Sequence, residues 1–200
     1  RVDGYIISGL SIFAWGLMKK VVFADHFSPY VQEVYGMYEY RSGLDLLLAT
    51  YAFSLQIYCD FSGYTDMARG IARLMGYELH TNFNAPYFAQ NIRDFWQKWH
   101  ITLSMWFRDY VYIPLGGNRC SKIRSYINIF ITMLVAGLWH GANLTFIAWG
   151  AFHGLLIGLY HFFDSKINAT SILKSQTPIA KTIKIIITYH TILIGWIFFR

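Results

Sequence analysis

Two histidines are the side chains best suited to acid–base chemistry. His140 stands between apolar runs at residues 127–139 and 142–160, and His100 lies in an earlier, aromatic-rich segment. A titratable side chain inside a membrane span is costly unless it faces a cavity or a partner, which makes His140 a candidate for function. A packing histidine bonded to a carbonyl group is equally compatible with the residues alone.

His100 belongs to a possible helical stripe. If its segment is helical, four side chains spaced four apart share one face: Trp96, His100, Ser104 and Arg108. Such a face would bring a base, a hydroxyl and a cation into line. The simpler interpretation of these residues is an interfacial helix that shows its polar face to water.

Two carboxylates also lie among apolar residues. Asp60 and Asp66 need partners there, and Arg69 or Arg73 could pair with Asp66. The acids either form structural ion pairs or line a polar pore, and the pattern favours the structural role.

Other site classes find little support. The histidines lack a local ligand spacing, and His153 and His161 lie too far along to complete an obvious set, so no metal site is predicted. The chain has no Gly-rich phosphate loop and no G-x-S-x-G elbow, which argues against a nucleotide-driven pump and a serine hydrolase. Cys59 and Cys120 do not make a disulfide framework.

Composition indicates the elements that must hold these residues. Of 200 residues, 55% are hydrophobic and 14% charged, whereas an average soluble domain carries about 25% charge. The 15 tyrosines and 7 tryptophans suit membrane interfaces. The net charge of +6 comes from basic residues in short loops, which orientation across a membrane explains without a nucleic-acid partner. The composition predicts an all-α, polytopic transmembrane protein rather than a soluble helical bundle.

The hydropathy pattern divides the chain into helices. Apolar runs predict helices at residues 5–18, 43–59 with a continuation over 61–75, 127–139, 142–160 and 185–199. The two runs on either side of His140, at 127–139 and 142–160, form either one broken helix or a hairpin. Residues 78–86 are predicted as a loop, 89–112 as an amphipathic helix at the membrane boundary, and 164–184 as a polar linker. Because the chain starts with Arg1 and ends in an apolar run, we expect a fragment of a longer protein.

Several runs resemble one known family, the membrane-bound O-acyltransferases. The similar segments are KKVVFAD at 19–25, CDFSGYTDMARG at 59–70, NAPY at 84–87, DFWQKWHITLS at 94–104 and WHG at 139–141. A further run, WFRDYVYIPLGGNR at 106–119, resembles the bacterial polysaccharide branch typified by alginate O-acetyltransferase. The resemblance is strongest over residues 58–161, the core of what we predict to be a partial membrane domain covering residues 1–200.

The resemblance implies roles for individual residues. It makes His140 the catalytic residue and His100 a second signature residue that positions or polarises the reactants. We predict that substrate contacts come from the stripe and two further side chains: Trp96, Ser104, Arg108, Trp139 and Asp60. The implied fold is a helical membrane domain with a recessed core reached from both sides.

The resemblance also implies the reaction and its partners. We expect a multi-pass protein of the cytoplasmic (inner) membrane, surrounded by lipid, that takes an acyl group, most simply acetyl, from the cytoplasm. The donor would be acetyl-CoA or an acyl-carrier thioester, with no bound cofactor. The acceptor would be a polysaccharide outside the cytoplasm, reached through an extracytoplasmic partner acetyltransferase.

Three alternatives remain open at this point. A D-alanyl transferase acting on teichoic acid belongs to the same family and would use a carrier-protein thioester. An ion- or proton-coupled transporter could use the intramembrane acids and histidines as a relay. A scaffold of an envelope assembly complex would leave the histidines idle.

Overall fold

The computed structural model describes residues 2–164, 166 and 175–200, and this part of the chain is helical without strands. The all-α prediction is therefore confirmed. The chain separates into two compact units, Arg1–Asn82 and Phe83–Arg200, which are described one at a time.

The first unit contains three long helices. They are α1 (Val2–Met18), α2 (Asp25–Gly36) and α3 (Gly43–Leu74), with a π-helical turn (Lys19–Ala24) between α1 and α2 and a 3-10 turn (Tyr38–Tyr40) before α3. The predicted run at 43–75 is confirmed as one continuous helix. The predicted end of the first helix at residue 18 is confirmed for α1, although helical structure continues through the π-helical turn and α2 to Gly36.

Local signals define both ends of α3. At its start the Ser42 hydroxyl accepts a hydrogen bond from the Asp45 amide at 3.2 Å, and the Asp45 carboxylate accepts one from the Ser42 amide at 3.2 Å. This reciprocal capping box satisfies two amides that have no partner inside the helix. At its end Gly76 adopts a φ of 84°, a left-handed conformation that costs glycine little.

α1 and α3 run antiparallel with their backbones in close contact. A Cβ built on Gly16 would lie 2.6 Å from the Gly63 carbonyl oxygen, and one on Gly70 would lie 2.7 Å from the Gly9 carbonyl oxygen. Small residues at such positions let membrane helices approach each other closely. This approach brings the π-helical turn that follows α1 against the polar part of α3.

A buried ion network forms at this place. The ammonium of Lys19, a residue only 8% exposed, lies 2.6 Å from the Asp66 carboxylate and 3.1 Å from the Ser62 hydroxyl. Arg69 contacts the other oxygen of Asp66 at 3.0 Å. Of the two arginines considered for Asp66, Arg69 is thus its partner, and the buried lysine is a second one that periodicity did not reveal.

A second, more exposed pairing involves Lys20. Its ammonium lies 2.6 Å from the Asp60 carboxylate and 2.9 Å from that of Asp25. Arg73 pairs at 3.4 Å with Glu78. These contacts give both Asp60 and Asp66 a positive partner, as the structural interpretation expects.

The two lysines provide a matched pair for mutagenesis. Lys19→Ala is expected to lower the free energy of unfolding by about 2 kcal/mol, because Asp66 then keeps only Arg69 in a buried setting. Lys20→Ala, which removes a partly exposed pair, should cost less than about 1 kcal/mol. Thermal denaturation of the full-length protein in detergent measures both, and equal losses would contradict the assignment of Lys19 as the buried partner.

The second unit contains five helices within the described residues. They are α4 (Ile92–Trp96), α5 (Ile101–Phe107), α6 (Lys122–His140), α7 (Leu144–Asp164) and α8 (Pro178–Phe199), with a 3-10 turn (Pro86–Phe88) and a π-helical turn (Arg108–Tyr112). The predicted runs at 127–139 and 185–199 lie inside α6 and α8, and the run at 142–160 lies in α7 except for its first two residues, so these helices are confirmed.

The single helix predicted over residues 89–112 is wrong. α4 ends at Trp96, and the backbone reverses at His100, whose φ of 42° lies in the left-handed region. His100 then serves as the N-cap residue of α5, and its carbonyl accepts a bond from the Ser104 amide at 3.0 Å. A left-handed residue cannot continue a right-handed helix, so periodicity across it does not define a common face.

The segment around His140 is a hairpin of two antiparallel helices. Gly141, with φ 156° and ψ 157°, ends α6, and α7 begins three residues later. A Cβ on Gly137 would collide with the Phe146 carbonyl oxygen, and one on Gly150 would collide with that of Met133. The glycines therefore allow the two backbones to pack directly on each other.

α8 begins inside the segment predicted as a polar linker. The Thr177 hydroxyl caps the Ala180 amide at 3.4 Å, and Pro178 occupies the first helical turn, where it needs no amide partner. Lys181 and Lys184 therefore belong to a helix, which corrects the linker boundary at 184. Residues 165 and 167–174 of that prediction lie outside the described residues.

Three helical segments are long and apolar enough to cross a membrane. Within the described residues they are Gly4–Gly36, Leu144–Asp164 and Pro178–Phe199. Large apolar side chains remain exposed on their outer faces, among them Ile7, Leu155 and Ile187. Exposed apolar surface of this extent is typical of contact with lipid or with further protein.

Candidate functional site

His140 lies in an aromatic enclosure at the end of α6. Its ring centroid is 5.2 Å from that of Trp149, 5.0 Å from Phe199 and 6.1 Å from Phe146. The first two contacts are edge-to-face, with interplanar angles of 85° and 80°. Since these rings come from the first turns of α7 and the last turn of α8, the enclosure depends on the hairpin and on the docking of α8. The imidazole itself is half-buried.

His100 approaches the same place from the turn before α5. Its ring lies 6.5 Å from that of Trp139 in an edge-to-face arrangement, and Trp139 precedes His140 directly. Burial lowers the pKa of His100 to about 4, and repulsion by charge on His140 contributes to that shift. Two histidines that lie far apart in the chain are thus close enough for charge on His140 to act on His100.

The lowered pKa of His100 predicts a pH-dependent stability. In the unfolded chain the group binds a proton below its ordinary pKa of 6.5, whereas in the folded protein it does so only near pH 4. Stability is therefore complete above pH 6.5 and falls as the pH drops from 6.5 towards 4. His100→Gln removes this titration, so the difference in melting temperature between pH 7 and pH 5 should be smaller in the variant. An unchanged pH dependence in full-length protein would contradict the burial of His100.

The stripe predicted along one helix face is not formed. Trp96 packs against Trp149 and His153 at centroid distances of 5.6 and 5.3 Å. The Ser104 hydroxyl donates to the Trp99 carbonyl at 3.3 Å. Arg108 is exposed and binds Asp109 at 2.7 Å, which holds the pKa of that carboxyl below its usual value. The break at His100 separates these side chains, so they do not share one helix face. Their contacts with substrate remain a prediction.

The other two predicted substrate contacts differ in position. Trp139, 57% exposed, lies between the rings of His100 and Phe107, and thus borders the histidine site. Asp60 belongs to the first unit and pairs with Lys20. Among the predicted site residues, the structure therefore brings together His100, Trp139 and His140.

His153 is a residue that sequence reasoning did not place in the site. It lies on α7 one turn after Trp149, is 1% exposed, and packs edge-to-face on Trp149 at 5.0 Å. Neither of its ring nitrogens has a hydrogen-bond partner in the part of the chain that the structure describes. Each such buried atom costs about 1–3 kcal/mol. Its position inside an apolar run was the available signal, by the same argument that singled out His140.

The chemistry open to this arrangement is proton transfer by an imidazole in a largely dry setting. No group of three metal-binding side chains occurs within residues 2–164, 166 and 175–200. A neutral imidazole can take a proton from an alcohol and later return it. Aromatic rings cover part of the imidazole, and wherever such rings exclude water, electrostatic interactions inside a site become stronger.

The chain is similar to known proteins over most of its length. A family model for the membrane-bound O-acyltransferase family matches residues 7–199. The chain is 42% identical over 192 residues to a probable alginate O-acetylase, AlgI, of Pseudomonas aeruginosa, covering 96% of this chain and 35% of that protein. It is 41% identical over 195 residues to a peptidoglycan O-acetyltransferase of Helicobacter pylori, covering 98% and 36% respectively.

A third relative is named for a different activity. The chain is 35% identical over 160 residues to a teichoic acid D-alanyltransferase of Bacillus subtilis, covering 76% of this chain and 40% of that protein. All three relatives are much longer than the chain, which spans between 35% and 40% of their lengths. Because the family model covers nearly all of the sequence, the chain belongs to the membrane-bound O-acyltransferase family.

Proposed function

We propose that the full-length protein transfers an acyl group, most simply acetyl, to hydroxyl groups of a polysaccharide outside the cytoplasm. The observation that carries the proposal is the meeting of His140 and His100 beside the α6–α7 hairpin. One imidazole stands in an aromatic enclosure, and burial keeps the other neutral near pH 7. This pairing supplies a base and a neighbouring polar ring in surroundings that disfavour hydrolysis.

The proposed reaction begins with activation of the acceptor. An alcohol is a poor nucleophile at neutral pH, so the His140 imidazole takes its proton as the oxygen attacks the thioester carbonyl carbon. The tetrahedral intermediate then expels sulfur, which leaves as a thiol after recovering the proton from the imidazolium. One C–S bond is exchanged for one C–O bond, and His140 returns to its neutral form. His100 orients the donor or the acceptor.

The donor, the partner and the location form part of the same proposal. The donor is acetyl-CoA or an acyl-carrier thioester presented from the cytoplasmic side of the inner membrane. The acceptor is reached through an extracytoplasmic partner that completes the transfer. Two relatives above 40% identity are named as a probable alginate O-acetylase and a peptidoglycan O-acetyltransferase, which supports an acetyl group and a polysaccharide acceptor.

A second candidate is D-alanyl transfer to teichoic acid. The Bacillus subtilis relative supports it, although its identity is lower and covers less of the chain. The two candidates share the histidine chemistry and differ in the group that the thioester carries. They are therefore distinguished by the product and not by the site.

The test measures ester-linked groups in the cell envelope and exopolysaccharide. Cells that lack the full-length gene are compared with cells that carry it on a plasmid, and base-released acetate and D-alanine are both quantified. Restored acetate with unchanged D-alanine supports the proposal. Restored D-alanine alone replaces it by the second candidate, and restoration of neither group removes both in favour of a transporter or scaffold.

A further inference from the structure

The polar atoms around His153 form a cluster with more donors than acceptors. The cluster consists of Trp96 on α4 and of Trp149 and His153 on α7, and we call it the indole–imidazole triangle. Its ring centroids lie 5.6 Å, 5.3 Å and 5.0 Å apart, and every pair is edge-to-face. The Nε1 atoms of both indoles are buried and, like both nitrogens of His153, have no hydrogen-bond partner among the described residues.

The composition of the triangle limits what can satisfy it. An indole N–H only donates, and a neutral imidazole has one N–H donor and one acceptor nitrogen. The triangle therefore offers three donors against a single acceptor. Weak N–H···π contacts between the edge-to-face rings can partly relieve an N–H group of any of the three, but none of these N–H groups has a strong acceptor among the described residues, and the acceptor nitrogen of the imidazole has no donor. A group with an acceptor oxygen fits this excess of donors.

The surrounding backbone fixes the imidazole in place. A Cβ on Gly195 of α8 would lie 2.6 Å from Nε2 of His153 and 3.2 Å from its Cε1. The glycine thus lets α8 pack directly against one edge of the ring. Phenylalanine would fill a similar volume without burying two polar atoms, so packing alone does not account for a histidine here.

The triangle also borders the proposed reaction site. Trp149, one of its corners, contacts the His140 ring edge-to-face at 5.2 Å. An acyl carbon held on the Trp149 side of His140 would direct its oxygen towards the triangle. Negative charge develops on that oxygen in the tetrahedral intermediate, and fixed N–H donors in a dry site stabilise such charge.

We propose that the indole–imidazole triangle binds the carbonyl oxygen of the acyl donor and stabilises the oxyanion formed on it. This inference rests on the proposed function, because it assumes acyl transfer at His140. His153 and Trp149 then donate N–H bonds that strengthen as the carbonyl becomes an alkoxide. A buried water is the other oxygen that could accept the same bonds, and the experiment separates the two.

The first measurement compares steady-state kinetics of full-length variants with acetyl-CoA as donor. His153→Phe keeps the ring volume and removes both nitrogens, and it is expected to lower kcat about 100-fold with KM for acetyl-CoA changed less than threefold. His153→Gln, which retains a donor, should recover at least tenfold of that loss. His161→Phe, the same change two turns later on α7, serves as the control and should keep the wild-type kcat.

The second measurement observes the carbonyl directly. Acetyl-CoA labelled with ¹³C at the carbonyl is bound to the His140→Ala protein, which should not turn it over, and its infrared stretch is recorded. Hydrogen bonds from the triangle shift the stretch to lower frequency, and adding His153→Phe should reverse most of that shift. If His153→Phe is lost from the membrane, Trp149→Phe replaces it in both measurements, with the same direction of change.

The outcomes are distinct. A wild-type kcat in the folded His153→Phe protein, or a raised KM with unchanged kcat, overturns the proposal. A lowered melting temperature with normal kcat and an unshifted carbonyl stretch assigns the triangle to a structural water, which overturns it as well. If the wild-type protein itself neither binds nor consumes acetyl-CoA, the acetyl-CoA reaction fails before the triangle is tested. The D-alanyl carrier thioester then replaces acetyl-CoA as the probe in both measurements, and the same outcomes decide the proposal.

Discussion

Replacing His140 by alanine in the full-length protein is expected to reduce acyl transfer by about 10²–10⁴-fold, the contribution typical of a general base. The imidazole is half-buried and its neighbours are aromatic rings, so its loss should leave the hairpin folded and the protein in the membrane. The measurement is ester-linked acetate on the extracellular polysaccharide at matched membrane levels of wild-type and variant protein.

His190→Ala is a suitable control for that experiment. His190 lies on α8, is exposed, and its Nδ1 is 2.8 Å from the Ile186 carbonyl oxygen of the same helix. Its loss should leave acetate at the wild-type level. Normal acetate in the His140 variant would remove this residue from the mechanism, whereas loss of acetate in both variants would indicate a general effect on folding.

Replacing Gly150 by leucine should strongly disrupt the hairpin. A side chain there collides with the Met133 carbonyl oxygen, a backbone atom that cannot move without separating α6 from α7. We expect a loss of about 3 kcal/mol or more in the free energy of unfolding, at the upper end for overpacking. Because His140 and Trp149 come from the two helices of this hairpin, the aromatic enclosure would be lost together with stability.

Gly158→Leu provides the matched control in the same helix. No atom lies within 4 Å of a Cβ built on Gly158, so the larger side chain meets open space. Its effect on stability should stay within about 0.5 kcal/mol. Melting temperature and membrane abundance of the full-length variants measure the contrast, and equal behaviour of the two would contradict the direct backbone packing of α6 on α7.

The positions of the long helices could be predicted from sequence because hydropathy is a local property. The runs predicted at 43–75 and 185–199 correspond to α3, which ends at Leu74, and to α8. The apolar composition of each run was enough to predict its helix. The boundaries were less predictable. The first apolar run was predicted to end at residue 18, but helical structure continues past Lys19, whose charge is compensated by Asp66 from a distant helix.

The candidate site shows the same division. His140 was identified because a titratable side chain between apolar runs is costly unless it faces a cavity or a partner. The stripe through Trp96 failed because one backbone angle, the φ of 42° at His100, interrupts the helix on which the spacing depended. Helical periodicity contains no information about such a reversal.

By itself, the sequence determined a helical membrane protein, its main apolar segments and the two histidines most suited to proton transfer. These conclusions depend on composition and on short motifs, which act within one segment of chain. The tertiary structure alone decided which side chains meet: the rings around His140, the buried partner of Asp66, and the triangle that contains His153. Each of these contacts joins residues from different helices, so it depends on how closely the helix backbones pack. Glycines control that packing distance, but a glycine in the sequence does not tell which helix will pack against it.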